Sequence, residues 1–273
     1  MISFPNAKIN IGLNIIRKRD DGFHDIETVF YPVKLCDVLE ILENPEGSHM
    51  PLFYSTGLPL DVPLSKNICI IAYHELQKDF KLPEISIHLH KIIPYGAGLG
   101  GGSSDAAFTI DLINKLFSLE LTKEQIRNYA LRLGSDCVFF TENKPVVASG
   151  RGEVIQSVDL NLSGLYIVVV KPSFSISTNE AYSEVVPDIP SYNLVESIKL
   201  PPEKWTDIIV NDFEKKLFIK YPELSRIKEK LYLMGALYAS MSGSGSAIYG
   251  IFKNEPDISE AFPGCFVWNG VLE

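Results

Sequence analysis

The chain has 273 residues, 46% of them apolar and 22% charged, with a formal net charge of −9. Such a length suits one large domain or two modest ones, with enough apolar content to build a core without metal or disulfide. The acidic balance excludes a broad footprint for nucleic acid or an anionic membrane surface, and no run nears the ~18 apolar residues of a membrane span. An anionic ligand must therefore be held by local groups. Cys36, Cys69, Cys137 and Cys265 lie far apart, with no metal-ligand spacing, and read as reduced thiols. The opening MISFPNAKIN has no basic-then-apolar leader, so a cytoplasmic protein is expected.

In chain order, KINIGLNI at 8–15 alternates Ile9, Ile11, Leu13 and Ile15 against Lys8, Asn10 and Asn14, which predicts a half-buried strand. An Asp21–Gly22 turn then leads into β-rich sequence at 26–42, as in a hairpin or meander. GSHM at 47–50 resembles an expression scar, although its mid-chain position favours coincidence. Residues 67–80 read as a helix, and EISIHLHKIIP reads as a strand ending at Pro94, with His88 and His90 on its polar face. After the glycine-rich stretch PYGAGLGGGSSDAA, a helix is expected to start at Ser103 and Ser104, with Ser and Asp as caps. A second helix follows, opened by a Thr122–Gln125 capping box and closed by Gly134, which puts Asp136 just past a helix end.

Beyond residue 145 a hairpin, a strand at 165–172, helices at about 206–219 and 222–234, and strands flanking SGSGS at 242–246 are expected. The fold class is α+β, with domains at 1–158 and 159–273.

The glycine stretch invites three phosphate-loop readings. An ATPase loop begun at Gly96 fails because Gly102 stands where lysine is required. Gly96, Gly98 and Gly101 match a dinucleotide fingerprint, with Glu120 about 20 residues on, but a helix follows where that fold needs a strand. The H-R-D and D-F-G tripeptides of protein kinases do not occur. What remains is a glycine loop opening directly into a helix, with bare amides for phosphate oxygens and serine hydroxyls for phosphate or Mg²⁺. The competing reading is a glycine-rich turn before a capped helix.

Three blocks, PNAKINIGLNIIRKRDDGFHDIETVF, PYGAGLGGGSSDAA and MSGSGSAIYGIF, resemble the GHMP small-molecule kinases, and the resemblance spans nearly the whole chain. It implies a two-domain fold, with an ATP-binding α+β domain carrying the phosphate loop at a helix N-terminus and a C-terminal ferredoxin-like α+β domain. The implied reaction is ATP-dependent phosphorylation of an alcohol. RDDGFH points to the branch of isoprenoid-precursor synthesis whose small-molecule substrate carries a cytidine diphosphate group. Homoserine, mevalonate or a sugar is the nearest alternative acceptor. A dinucleotide-dependent oxidoreductase and a non-catalytic nucleotide-binding regulator are more distant ones.

By resemblance, Asp136 takes the proton of the substrate hydroxyl and Lys8 steadies the developing charge. ATP is held by Pro94, Tyr95, Gly96, Ala97, Gly98, Leu99, Gly100, Gly101, Gly102, Ser103 and Ser104, with Asn67 and Lys91 lining the adenine pocket and Ser104 as a candidate Mg²⁺ ligand. The substrate meets Asn10, Phe23, His24, Thr178 and Tyr182, with His24 on the cytosine edge and the two aromatic rings stacked on its face. Each also has an ordinary reading: a helix-end Asp136, an exposed strand Lys8, packing aromatics, a capping Asn67 or Thr178, and a solvated Lys91. Phe23 stands where the family more often has tyrosine, and Ser135 where alanine is usual. No nucleic-acid or membrane partner is expected, and the assembly is a monomer or weak homodimer.

Overall fold

The computed structural model describes residues 1–44, 51–60, 62–183 and 185–273, so the GSHM segment at 47–50 lies outside the described residues. The elements run β1 (Ile2–Ser3), β2 (Asn6–Lys18), β3 (His24–Cys36), β4 (Val38–Glu43), β5 (Leu52–Gly57), α1 (Ile68–Gln77), β6 (Ile85–Lys91), α2 (Gly101–Leu116), α3 (Lys123–Leu133) and α4 (Ser135–Glu142). They continue as β7 (Val146–Ser149), β8 (Val154–Ser157), β9 (Tyr166–Lys171), α5 (Thr178–Ser183), α6 (Leu194–Ser197), α7 (Glu214–Lys220), α8 (Pro222–Leu233), β10 (Tyr238–Met241), β11 (Ile248–Phe252) and β12 (Phe266–Val271). No helix of the described residues is long and apolar enough to cross a membrane.

Contacts divide the chain into two interleaved units: Met1–Ala7, Leu35–Tyr95 and Gly100–Asn143 form the first, and Lys8–Lys34, Gly96–Leu99 and Lys144–Glu273 the second. Residues 8–34, 96–99 and 144–158, which a contiguous partition at 158 assigns to the N-terminal half, group with the second unit. The reason is pairing: β2 and β3 share a sheet with the β7–β8 hairpin.

In the first unit a sheet of order β1-β4-β6-β5 is covered by helices. Leu39, Ile41, Ile85, Ile87 and Leu89 bury one sheet face against Tyr73, Leu76, Ala106, Ile110 and Ile113. Period-two alternation dictates that face, since residues i and i+2 of a strand point the same way. His88 and His90 fall on the other side, where the Thr56 hydroxyl meets both rings at 3.0 and 2.9 Å. Helix α3 keeps its capping box and ends at Gly134, as its sequence requires.

In the second unit β2-β3-β7-β8 form one sheet and β10-β11-β9-β12 another. Every pair of the latter is antiparallel, and its order is that of a ferredoxin-like split βαβ sheet. Helices α7 and α8 supply Leu217, Leu224, Ile227 and Leu231 to its core.

Five local expectations change. Strand β2 is buried on both faces, with Lys8, Asn10 and Asn14 all enclosed and each satisfied by hydrogen bonds. Helix α2 starts at Gly101 rather than at the serines, because left-handed Gly100 turns the chain into the helix with no side-chain cap. Helix α4, which the sequence reading lacks, begins directly after Gly134 closes α3 and places Asp136 in a first helical turn. Helix α7 begins at Glu214 rather than near 206, because Val210–Asp212 is held extended along Leu13, with the Asn211 amide donating to Met241 O and Gly243 O. Thr178 opens α5 without capping it; the accepting side chain for Glu180 N is Ser177.

Candidate active site

The glycine stretch is built from backbone that only glycine adopts at little cost. Gly96, Gly98 and Gly100 have φ of 60°, 73° and 71°, in the left-handed region. With no side chain over the head of α2, the amides of Gly101, Gly102 and Ser103 open the helix at its positive end. A Cβ on Gly101 would sit 2.9 Å from Ile93 Cγ2 and 3.0 Å from Lys91 Nζ, whereas one on Gly102 would meet nothing within 4 Å. Gly101 is therefore demanded by the protein's own packing, and Gly102 leaves room for something else. Pro94 is buried, and Tyr95 beside it is 68% exposed. The Ser104 hydroxyl is buried with no hydrogen-bond partner, an unsatisfied polar atom one turn into the helix.

Behind the helix head lies an ion triad. Lys91 Nζ donates to Asp37 Oδ2 and, at 2.7 Å, to Asp105 Oδ2, with the three side chains at 3%, 0% and 3% exposure. Asp37 Oδ1 also accepts from the amides of Ile92 and Ile93 at 2.5 and 2.8 Å, whereas Asp105 Oδ1 has no partner. Burial is the largest influence on Asp105 and, with the Asp37 charge, outweighs the ammonium, pushing its pKa up to about 7. Burial works against the Lys91 ammonium, but the two carboxylates outweigh it and raise its pKa. Asn67 is the side-chain cap of α1, accepting from Cys69 N at 3.0 Å and Ile70 N at 3.3 Å. Lys91 and Asn67 thus both serve the framework around the loop.

Asp136 stands in the first turn of α4. Its neighbour Cys137 is buried, and burial pushes that thiol up to about 12, with the Asp136 charge adding to the rise and a hydrogen bond from Ser103 opposing it. Helix α4 packs against α2 within the same unit.

In the second unit Lys8 is 3% exposed. Its Nζ donates to Asn10 Oδ1 at 2.6 Å and Gly98 O at 3.1 Å, and lies 4.8 Å from the Phe30 ring centroid. Asn10 completes the network by donating from Nδ2 to Thr28 Oγ1 at 3.0 Å, and its amide N donates to Ser242 Oγ at 3.2 Å. Ser242 Oγ in turn donates to Gly98 O at 2.9 Å, and Ala247 N reaches Ala97 O at 3.1 Å. A Cβ on Gly98 would sit 1.9 Å from Ser242 O, so this approach requires glycine. The SGSGS segment is thereby seated on residues 96–99, with Leu99 O accepting from Lys8 N at 2.9 Å.

At the β2–β3 hairpin, the His24 and Tyr182 rings stack with centroids 4.8 Å apart and planes 20° from parallel. Burial, then the Lys18 charge, lowers the His24 pKa. Phe23 is 55% exposed, with the Arg151 guanidinium 4.9 Å from its ring centroid. Thr178 lies near the SGSGS segment, 3.5 Å from Ser244 Oγ.

The structure brings together Lys8 with Asn10 and Gly98, His24 with Tyr182, and α2 with α4, whose first turn bears Asp136. Asn10 is enclosed in the Lys8 network, with its side-chain oxygen and nitrogen both engaged. Sequence reasoning missed Thr28, Ser242, Asp37, Asp105 and Arg151 as partners. Only Asp105, inside the glycine block, and Ser242, inside SGSGS, carried a local signal.

Two family models match the chain: GHMP kinases N terminal domain over residues 67–143 and GHMP kinases C terminal over residues 202–263. The chain is 47% identical over its full length to the 4-diphosphocytidyl-2-C-methyl-D-erythritol kinase of Parabacteroides distasonis, covering 100% of both. It is 50% identical to the enzyme of that name from Azobacteroides pseudotrichonymphae, covering 93% of this chain and 94% of that one. A crystal structure of 4-(cytidine 5'-diphospho)-2C-methyl-D-erythritol kinase superposes with a TM-score of 0.81 at 28% identity, covering 100% of this chain and 99% of the other. The chain belongs to the GHMP kinase family, on its 4-diphosphocytidyl-2-C-methyl-D-erythritol kinase branch.

Proposed function

We propose that this protein transfers the γ-phosphoryl group of ATP to the 2-hydroxyl of 4-diphosphocytidyl-2-C-methyl-D-erythritol, a step of non-mevalonate isoprenoid synthesis, in the cytoplasm, as a monomer or weak homodimer and without nucleic acid. The observation that carries the reading is the uncapped head of α2, in a helix packed within one unit against α4, whose first turn bears Asp136. Phosphoryl transfer needs alignment and charge neutralisation more than covalent help. The amides of residues 101–103 hold phosphate oxygens, and the open space over Gly102 admits them. Asp136 accepts the proton of the attacking hydroxyl. Lys8, oriented by Asn10 and Gly98 O, presents a cation to the oxygen that loses it.

Mg²⁺ fits the residues present: an unpartnered Ser104 hydroxyl at a phosphate-binding helix is the donor such an ion uses alongside phosphate oxygens. When bound, it neutralises charge on the triphosphate. Pro94, Tyr95 and the glycines to Gly102 shape the loop, while Asn67 and Lys91 border the adenine from the framework behind it. His24 reads the cytosine edge, Phe23 and Tyr182 give it a stacking surface, and Asn10 and Thr178 support the substrate's other end. In this scheme residues 1–158 supply nucleotide binding, catalysis and part of the substrate contacts, and 159–273 supply the rest.

The test is ADP formation with Mg-ATP and the cytidylyl substrate beside homoserine, mevalonate and galactose. Turnover is expected with the first alone, and Asp136→Asn should fold normally yet lose it by orders of magnitude. Activity with another acceptor, or an undiminished Asp136→Asn enzyme, would overturn the assignment.

A further inference from the structure

Arg151 is the cation that the site as described leaves without a task. It sits at the turn between β7 and β8, flanked by Gly150 and Gly152 with φ of 67° and 107°. That turn is anchored to the substrate hairpin: Ile26 N donates to Gly150 O at 2.7 Å, two residues from His24. Gly152 N closes the turn on Ser149 O at 3.0 Å, and Arg151 N donates to Glu153 Oε2 at 2.6 Å. The guanidinium is thus delivered to Phe23 by built backbone.

Its electrostatic company is light compared with its neighbours. Arg17 and Arg19 are both bound to Asp25, and Arg19 also to Asp21. Arg151 faces Glu153, whose Oε1 is 3.8 Å from its Nε, and lies close enough to Asp21 to lower that carboxyl's pKa as a minor influence. The guanidinium remains 37% exposed, over a ring that is itself more than half exposed.

We propose that Arg151 is a specificity-determining residue that binds the diphosphate of a pyrimidine nucleoside diphosphate whose base is read by Phe23, His24 and Tyr182. The inference rests on the substrate reading above. A planar fork of N–H donors pairs with two phosphate oxygens at once, which a lysine cannot do. The contact with the Phe23 ring holds the guanidinium in place, so less freedom is lost when the ligand arrives. A chain of net charge −9 needs such a local cation to hold an anionic group.

The test compares CDP and cytidine as competitive inhibitors against the cytidylyl substrate. The wild-type protein should prefer CDP. Arg151→Met, which keeps an apolar stem over Phe23, should lose about tenfold of that preference, with cytidine affinity and KM for ATP unchanged, as expected for a lost charge-assisted contact. Arg151→Lys should restore part of it. An Arg151→Met protein that keeps the full CDP preference overturns the inference while leaving the substrate reading intact. Equal weakening toward both compounds makes Arg151 a prop for Phe23 and also overturns it. If neither compound competes in the wild type, the substrate reading fails first, and Arg151 with it.

Discussion

Replacing Lys91 with methionine removes the ammonium that separates two buried carboxylates. Asp37 keeps the Ile92 and Ile93 amides, but Asp105 loses its charged donor and keeps only Asp37, itself a carboxylate, as a side-chain partner. Breaking a buried ion pair by deleting one partner costs about 3–5 kcal/mol, and the cushioning of Asp37 places this change near the lower end, about 3 kcal/mol. Against a total stability of about 5–15 kcal/mol that is a large fraction. Asp105→Asn should behave oppositely: it retains an oxygen to accept from Lys91 while removing the one charge the triad leaves unbalanced.

The contrast depends on pH. Asp105 has its folded pKa raised to about 7 from 3.8, so between those values the native state holds a proton that the unfolded state has released. Stability from this group is therefore complete below pH ~4 and is lost as pH rises through ~7, at up to about 1.4 kcal/mol per unit where the two states differ by a full proton. Asp105→Asn has no such proton and should gain on the wild type from pH 5 to pH 8. Urea unfolding of the wild type and both variants at these two pH values measures the effect. A Lys91→Met loss under about 1 kcal/mol, or an Asp105→Asn loss as large as that of Lys91→Met at pH 8, would refute the buried-charge argument.

Three further outcomes are expected. Gly98→Ala must move Ser242 O from 1.9 Å and adopt a positive φ, so it should lower the thermal midpoint, whereas Gly102→Ala should leave the midpoint alone and raise KM for ATP. If Gly102→Ala binds ATP normally, phosphate does not approach that amide. Because the His24 pKa lies below its ordinary 6.5, the neutral ring persists as pH falls through that value, and KM for the cytidylyl substrate should stay flat from pH 8 to 6.5 and climb only below it. A climb already evident at pH 7.5 would contradict the lowered pKa. Thr122→Ala removes the α3 capping box and should cost about 1 kcal/mol in urea unfolding; no measurable loss would show the box to be dispensable.

What the sequence made legible follows from how far each demand reaches along the chain. The glycine stretch, the Thr122 capping box and the alternation of β6 are local requirements on backbone and period, and the structure meets each of them. From the residues alone Lys8 and Lys91 read equally as solvated strand lysines, and only the resemblance set them in a site, because their partners are remote. Lys91 finds Asp37 across 54 positions and Asp105 across 14, and Lys8 finds Gly98 O across 90. Arg151 reaches an aromatic ring on a different hairpin. A polar residue alternating with apolar ones gives the same pattern whether its face meets water or a second layer of chain. Only the cost of burying an unpaired charge separates the two, and that cost is met by residues no local window contains. A buried lysine satisfied by remote partners, unlike Lys171, which donates to the nearby Pro172 O and Phe174 O, therefore marks where distant segments were required to converge. Here Lys8 meets the carbonyl of Gly98 and Lys91 lies beneath Gly101, so the residues whose partners were hardest to read adjoin the glycine stretch, whose backbone demand was local.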